Sequence, residues 1–166
     1  GNSQGGNNNA YAQDNETGWI DWSGLVSDPE FIQAVRDLVR LRREIPLLRQ
    51  ARYVHGRIPT DGGWCDITWL HPDGRPMLPH DWNSSRQLAL VFLTHPDQKD
   101  ASPVTGAVAI LFNASDSMIE FALPYDLPDN LELKFSSALE GSGRVGAGCW
   151  SVAAHSVLLL VSEDSV

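Results

Sequence analysis

From about residue 52 onward the chain alternates apolar runs of strand length with clusters of turn residues, and that rhythm limits its possible folds more than any other feature. YVH (53–55), CDITWL (65–70), QLALVFLT (87–94), GAVAILFN (106–113), MIEFAL (118–123), LELKFS (131–136), CWSV (149–152) and HSVLLLVS (155–162) are rich in side chains that pack well on a pleated surface. HPDG, NASDS, PYDLPDN and EGSGRVGAG punctuate them with Gly, Pro, Asn and Asp, which favour turns. Eight such runs with no helix between them predict a mainly β domain, an antiparallel β-sandwich. LALVFL and AVAILF are apolar at odd and even positions alike, which suits central strands covered on both faces.

Ahead of the strands lies one helix. In SDPEFIQAVRDLVRLRREIP (27–46), Phe31, Ala34, Val35, Leu38, Leu41 and Ile45 recur at helical spacing. Ser27 and Glu30 have the spacing of a capping box, and Pro29 suits the first turn. Pro46 ends the helix, because the residue before a proline resists helical geometry. A single amphipathic helix of this length is marginal in water, so its stripe requires a partner. Residues 1–26, rich in Asn, Gly and Gln, read as a loop.

Charge and composition exclude several classes of function. The 166 residues carry 21 acidic against 12 basic side chains, a formal charge of -9, and the Arg40, Arg42, Arg43 group is the densest basic cluster. Such a surface repels phosphate backbones, so no nucleic-acid partner is expected. The longest apolar runs fall far short of the roughly 20 residues that span a bilayer, so no membrane role is expected. The first residue, a glycine of the kind a cleaved tag leaves, suggests an excised fragment. Cys65 and Cys149 read as reduced thiols rather than a bridge. Asn15, Asn83 and Asn113 head N-x-S/T triplets, which matter as glycan acceptors only in a secreted chain.

Candidate chemistry is sparse. Asp14, Glu16 and Asp21 crowd the first loop, and closely spaced carboxylates are what glycoside hydrolysis needs, although loop carboxylates are common. DNETGW (14–19) fails as a calcium loop because its glycine comes one place early and no closing glutamate follows. His55, His71, His80, His95 and His155 are scattered singly, without the pairing a zinc site shows, so no metal and no cofactor is expected. Cys149 and His155 read as core-strand residues rather than a nucleophile and its base. Trp19, Trp22, Trp64, Trp69, Trp82 and Trp150 offer indole faces that either stack on sugar rings or pack a core.

GGNNNAYAQDNETGWIDW (5–22) resembles the stretch that follows the last barrel strand in bacterial glycogen debranching enzymes of the isoamylase type, members of the α-amylase superfamily. The resemblance runs through the chain in the family's order. LVRLRREIPLLRQARYVHG (38–56) is similar to the last barrel helix and the strand after it, DITWLHPDGRPMLPHDW (66–82) to the family's D-I-x-W…G-x-x-M…D-W segment, and VAILFNASDSMIEFALP (108–124) to its L-F-N-A sandwich strand. Ala12 departs from the pattern, where the family usually carries Cys.

The resemblance implies a remnant of a (β/α)8 barrel over residues 1–50, the final loop and last helix, followed by a C-terminal β-sandwich over 51–166. The family's retaining mechanism uses an Asp nucleophile, a Glu acid/base and a further Asp, all on barrel strands upstream of any matched block. No catalytic residue is therefore expected in this chain, which would be inactive alone. It implies that Asn7, Asn8, Asn9, Tyr11, Gln13 and Asp14 line the rim of a cleft for branched α-glucan, glycogen or limit dextrin. It also implies a cytoplasmic protein whose sandwich braces the barrel. Residues 1–26, without that barrel, are expected to be disordered or to lean on a neighbouring copy. The alternative is an autonomous carbohydrate-binding module that stacks sugars on Trp64, Trp69 or Trp82.

Overall fold

The computed structural model describes residues 3–49, 53–56, 65–84, 86–94, 106–125, 127 and 130–162. It divides into two compact units, Gly1–Leu38 and Val39–Val166.

The first unit opens with tight turns rather than a featureless loop. Short 3-10 turns at Gln4–Gly6 and Ala10–Ala12 lead to a four-residue helix, α1 (Gly24–Ser27), and then to α2 (Pro29–Glu44). Asp28 breaks the two helices apart with non-helical backbone angles. Its carboxylate accepts the Phe31 N–H at 3.2 Å, satisfying one of the donors that a helix start leaves open. The cap is thus Asp28, and the expected Ser27–Glu30 box does not form, because Ser27 is spent inside α1. Helix α2 ends before Pro46 as expected, and a 3-10 turn, Pro46–Arg49, follows it. Arg42 Nη1 donates to the Leu48 carbonyl at 2.7 Å and closes that corner.

Among the described residues the second unit holds eight strands in two antiparallel sheets. The strands are β1 (Ile67–Leu70), β2 (Gln87–Thr94), β3 (Gly106–Asn113), β4 (Ile119–Ala122), β5 (Leu131–Ser136), β6 (Gly143–Gly146), β7 (Cys149–Val152) and β8 (Ser156–Ser162). A five-stranded sheet runs β1-β2-β3-β8-β5, and a three-stranded sheet runs β4-β7-β6. Two readings needed correction. Residues 53–55, expected as a strand, pair with no strand among the described residues, and the Asp66 carboxylate takes the N–H groups of His55 at 3.0 Å and Gly56 at 2.8 Å. Conversely GRVG, expected within a turn, is β6, an edge strand in which Arg144 pairs with Trp150.

Strand alternation sends apolar side chains to both faces of the larger sheet. Ala107, Ala109 and Leu111 of β3, with Leu158 and Leu160 of β8, face inward onto Phe121, Trp150 and Val152 of the smaller sheet. Their intervening neighbours Val108, Leu159 and Val161 form a second buried cluster with Leu41, Ile45 and Leu47. The expected coverage of the central strands on both sides is therefore met by a sheet on one face and the end of α2 on the other. The apolar stripe that runs along α2 and one residue past it is split: Leu41 and Ile45 are buried, whereas Phe31 is 51% exposed, Val35 41% and Leu38 44%.

Candidate functional site

The predicted rim residues lie on consecutive turns whose shape is set by local hydrogen bonds. Asn7 Oδ1 accepts the Asn9 N–H at 2.9 Å, an Asx turn that reverses the chain. The Gln13 N–H then bonds the Ala10 carbonyl at 2.9 Å, closing the Ala10–Ala12 turn. Further on, Asn15 Oδ1 accepts the Thr17 N–H at 3.0 Å and its amide nitrogen donates to Gln13 Oε1 at 3.3 Å. Gly18 completes the fold-back: a Cβ there would stand 3.2 Å from the Gln13 carbonyl oxygen, so only a hydrogen fits comfortably.

These turns leave a concavity of about 410 Å³ lined by Gln4, Asn8, Ala10, Tyr11, Gln13 and Gly18. Asn8, Tyr11 and Gln13 are thus brought together among the predicted residues. Asn7 and Asn9 serve the turn itself, and Asp14 bonds the Trp19 indole N–H at 2.8 Å, outside the lining. Tyr11 is 90% exposed, so its phenol presents both an apolar face and a hydroxyl to solvent. Amide and phenol groups on an open concavity suit a neutral, hydroxyl-rich ligand. Sequence reasoning missed Gln4 and Gly18; the positive φ of Gln4, 53°, is a tertiary feature that no local pattern signals.

Asp14, Glu16 and Asp21 are not arranged as a catalytic pair by any contact seen here. Asp14 is held by Trp19, and Asp21 accepts the Ser23 hydroxyl at 2.6 Å and its N–H at 2.9 Å, bonds that hold its carboxyl below the usual value. Among the described residues no three His, Cys, Asp or Glu side chains gather as a metal site would require. His155, expected in a core strand, instead occupies the turn before β8 with φ of 51° and contacts Asp116 at 2.9 Å on the surface. Cys149 opens β7 and His155 follows its end, so the strand separates them. Both cysteines are free thiols, each half-buried. Trp64 and His95 lie outside the described residues.

A second cluster stands on the sandwich. Trp69 and Trp82 meet edge to face, ring centroids 5.5 Å apart and planes inclined at 76°. Beside them Arg75 grips Asp81 with two bonds, 2.6 and 3.0 Å, and Asp81 also accepts the Leu78 N–H at 2.8 Å. The Arg75 guanidinium, and after it the Leu78 N–H, hold the Asp81 carboxyl far below the usual carboxylate range.

No helix among the described residues is long and apolar enough to cross a membrane. No protein-family model matches the sequence. Among curated proteins, the chain is similar to the glycogen operon protein GlgX homolog of Mycobacterium tuberculosis, 35% identical over 133 residues, which is 76% of this chain and 18% of that protein. It is 36% identical to the glycogen debranching enzyme of Cronobacter sakazakii over 125 residues, 75% of this chain and 16% of the relative. It is 30% identical to that of Pectobacterium carotovorum over 165 residues, 99% of this chain and 21% of the relative. The chain thus spans about a fifth of the length of the curated relatives it matches.

Proposed function

We propose that this chain, a homologue of one segment of the bacterial glycogen debranching enzymes, is the carboxy-terminal part of such an enzyme. The parent would be a cytoplasmic glycoside hydrolase of the isoamylase type that cleaves α-1,6 branch linkages of glycogen and limit dextrin. Residues 1–50 would close its catalytic barrel, and 51–166 would form the accessory sandwich.

The observation that supports this most directly is the divided stripe of α2. Its last turn is buried against the sandwich through Leu41, with Ile45 just past the helix end, while Phe31, Val35 and Leu38 are about half exposed. A helix apolar at both ends of its stripe is suited to bridging two bodies, and burying the exposed half of three such side chains contributes about 1 kcal/mol each. The exposed half would pack on the barrel, which makes the sandwich a brace.

In this arrangement the Asp nucleophile, the Glu acid/base and the further Asp belong to the barrel. Asn8, Tyr11 and Gln13 bind the glucan from the rim, and Asn7, Asn9 and Asp14 hold the turns that present them. Hydrogen bonds from two amides and stacking on one phenol orient a glucosyl unit without entering the bond-breaking step.

The test is hydrolysis of phosphorylase limit dextrin, followed by released reducing ends. The longer protein that includes this sequence is expected to be active and the 166-residue chain silent. Tyr11→Ala in the longer protein is expected to raise KM about tenfold with kcat little changed, the mark of lost uniform binding. Turnover by the chain alone, or no debranching by the longer protein, would overturn the reading.

A further inference from the structure

The Trp69–Trp82 corner is built to stay exposed. Trp69 lies on β1, the outermost strand of the larger sheet, and keeps 38% of its surface in solvent; Trp82 keeps 50%. The segment between them is held at several points: His71 N–H to the Arg75 carbonyl at 2.8 Å, Met77 N–H to the Trp69 carbonyl at 2.9 Å, and a bridge from Leu70 to Pro76. Gly74, with φ of 88°, sits so close to the Ala122 carbonyl oxygen that a Cβ would come within 2.7 Å. Two indoles are thus presented on a stiff support, so little ordering cost accompanies binding to them.

The surroundings indicate what they would bind. Arg75 grips Asp81, and Asp73 contacts both Arg75 at 3.3 Å and His71 at 3.1 Å, so the one guanidinium here is taken up by two carboxylates of the protein itself. His80 and Asn83 flank the Trp82 turn and are exposed, the His80 imidazole lying 3.4 Å from the Asp81 carboxylate. A ligand fitting this corner is not an anion, and has an apolar face for the indoles and hydroxyls for the Asn83 amide. A pyranose ring has that combination, and the chain's charge of -9 disfavours polyanions. Resting on the proposed function, we infer that Trp69 and Trp82 form an accessory site for a linear α-1,4-glucan chain. A second attachment to a branched polymer would raise the effective concentration of its other branches at the enzyme.

The decisive experiment titrates maltoheptaose into the 166-residue chain while following the indole N–H signals by NMR. Two of the six tryptophans should shift saturably. Trp82→Ala should weaken binding about tenfold or more, and Trp82→Phe, which keeps an aromatic face, should retain most of it. Equal response to cellohexaose, unchanged affinity in Trp69→Ala and Trp82→Ala, or silence with every glycan would each overturn the inference. Silence accompanied by loss of iodide quenching of these indoles in the longer protein would identify the corner as a domain contact instead. The debranching reading is judged separately, by hydrolysis of a small branched oligosaccharide, which Trp82→Ala should leave unchanged while KM for glycogen rises.

Discussion

The side-chain amide of Asn113 donates to the Val152 carbonyl at 3.0 Å and so ties the end of β3 in the larger sheet to the end of β7 in the smaller one. The same nitrogen reaches the carbonyls of Ser117 at 2.8 Å and Ala153 at 2.9 Å, and Oδ1 accepts the Ser115 N–H and hydroxyl at 3.0 and 2.6 Å. Asn113 is 2% exposed, and its bond to Val152 is buried, whereas Ser115 is half-buried and Ser117 exposed. Asn113→Ala would strand the buried Val152 carbonyl and remove the bonds beside it, and urea unfolding should show a loss of about 3 kcal/mol. Asn113→Asp should be worse, since an acceptor would face acceptors. The burial also settles the N-A-S triplet: the folded protein should resist oligosaccharyl transfer at Asn113, read by mass spectrometry, whereas Asn15 is exposed.

The two halves of α2 should respond oppositely to substitution. Ile45, 1% exposed, sits against Val108, Leu159 and Val161, so Ile45→Ala should cost about 2–5 kcal/mol in thermal or urea unfolding of the chain. Phe31→Ser, in the exposed half, should change the chain's stability by less than about 0.5 kcal/mol. In the longer protein the same Phe31→Ser should be clearly destabilising if this face is covered there.

Thr68 faces the interior with its Oγ1 buried and without a hydrogen-bond partner among the described residues. Thr68→Val keeps the branched shape and removes the desolvated hydroxyl. It should raise stability by about 1 kcal/mol, visible as a higher urea midpoint.

Acid should weaken the Trp69–Trp82 support in a defined direction. The Arg75 guanidinium depresses the folded-state pKa of Asp81 far below its ordinary 3.8, so its contribution is complete above about pH 4 and is lost as pH falls toward the folded value. Burial pushes the Asp66 carboxyl up, but the N–H groups of His55, Gly56 and Ile67 outweigh it, and its net shift is downward too. Asp81→Asn should therefore lower the urea midpoint at neutral pH, and the difference from wild type should shrink as pH is lowered toward about 2.

The errors of sequence reading were local ones with local causes. YVH has strand-like residues, yet the donors of His55 and Gly56 go to a side chain from eleven and ten residues away, not to a neighbouring strand. GRVG has two glycines and an arginine, composition that reads as turn, yet it pairs with β7 because an edge strand needs only one partner and no buried side chains of its own. Of the rim residues, the Asn and Gln pattern was legible as polar turn, but which amides face outward depended on the Asx turns and on Gly18.

What sequence alone determined was the set of elements and the two-faced hydrophobicity of the central strands, because alternation at period two and helical spacing are properties of consecutive side chains. It also established the likeness to one enzyme family through blocks in order. Only the tertiary structure decided that Leu41, Ile45 and Leu47 cover one face of the larger sheet, that Asn113 links two sheets, and that Trp69 and Trp82 meet in the open. Each of these depends on which distant segments come together, and burial, unlike periodicity, is a property of that meeting and not of the residue.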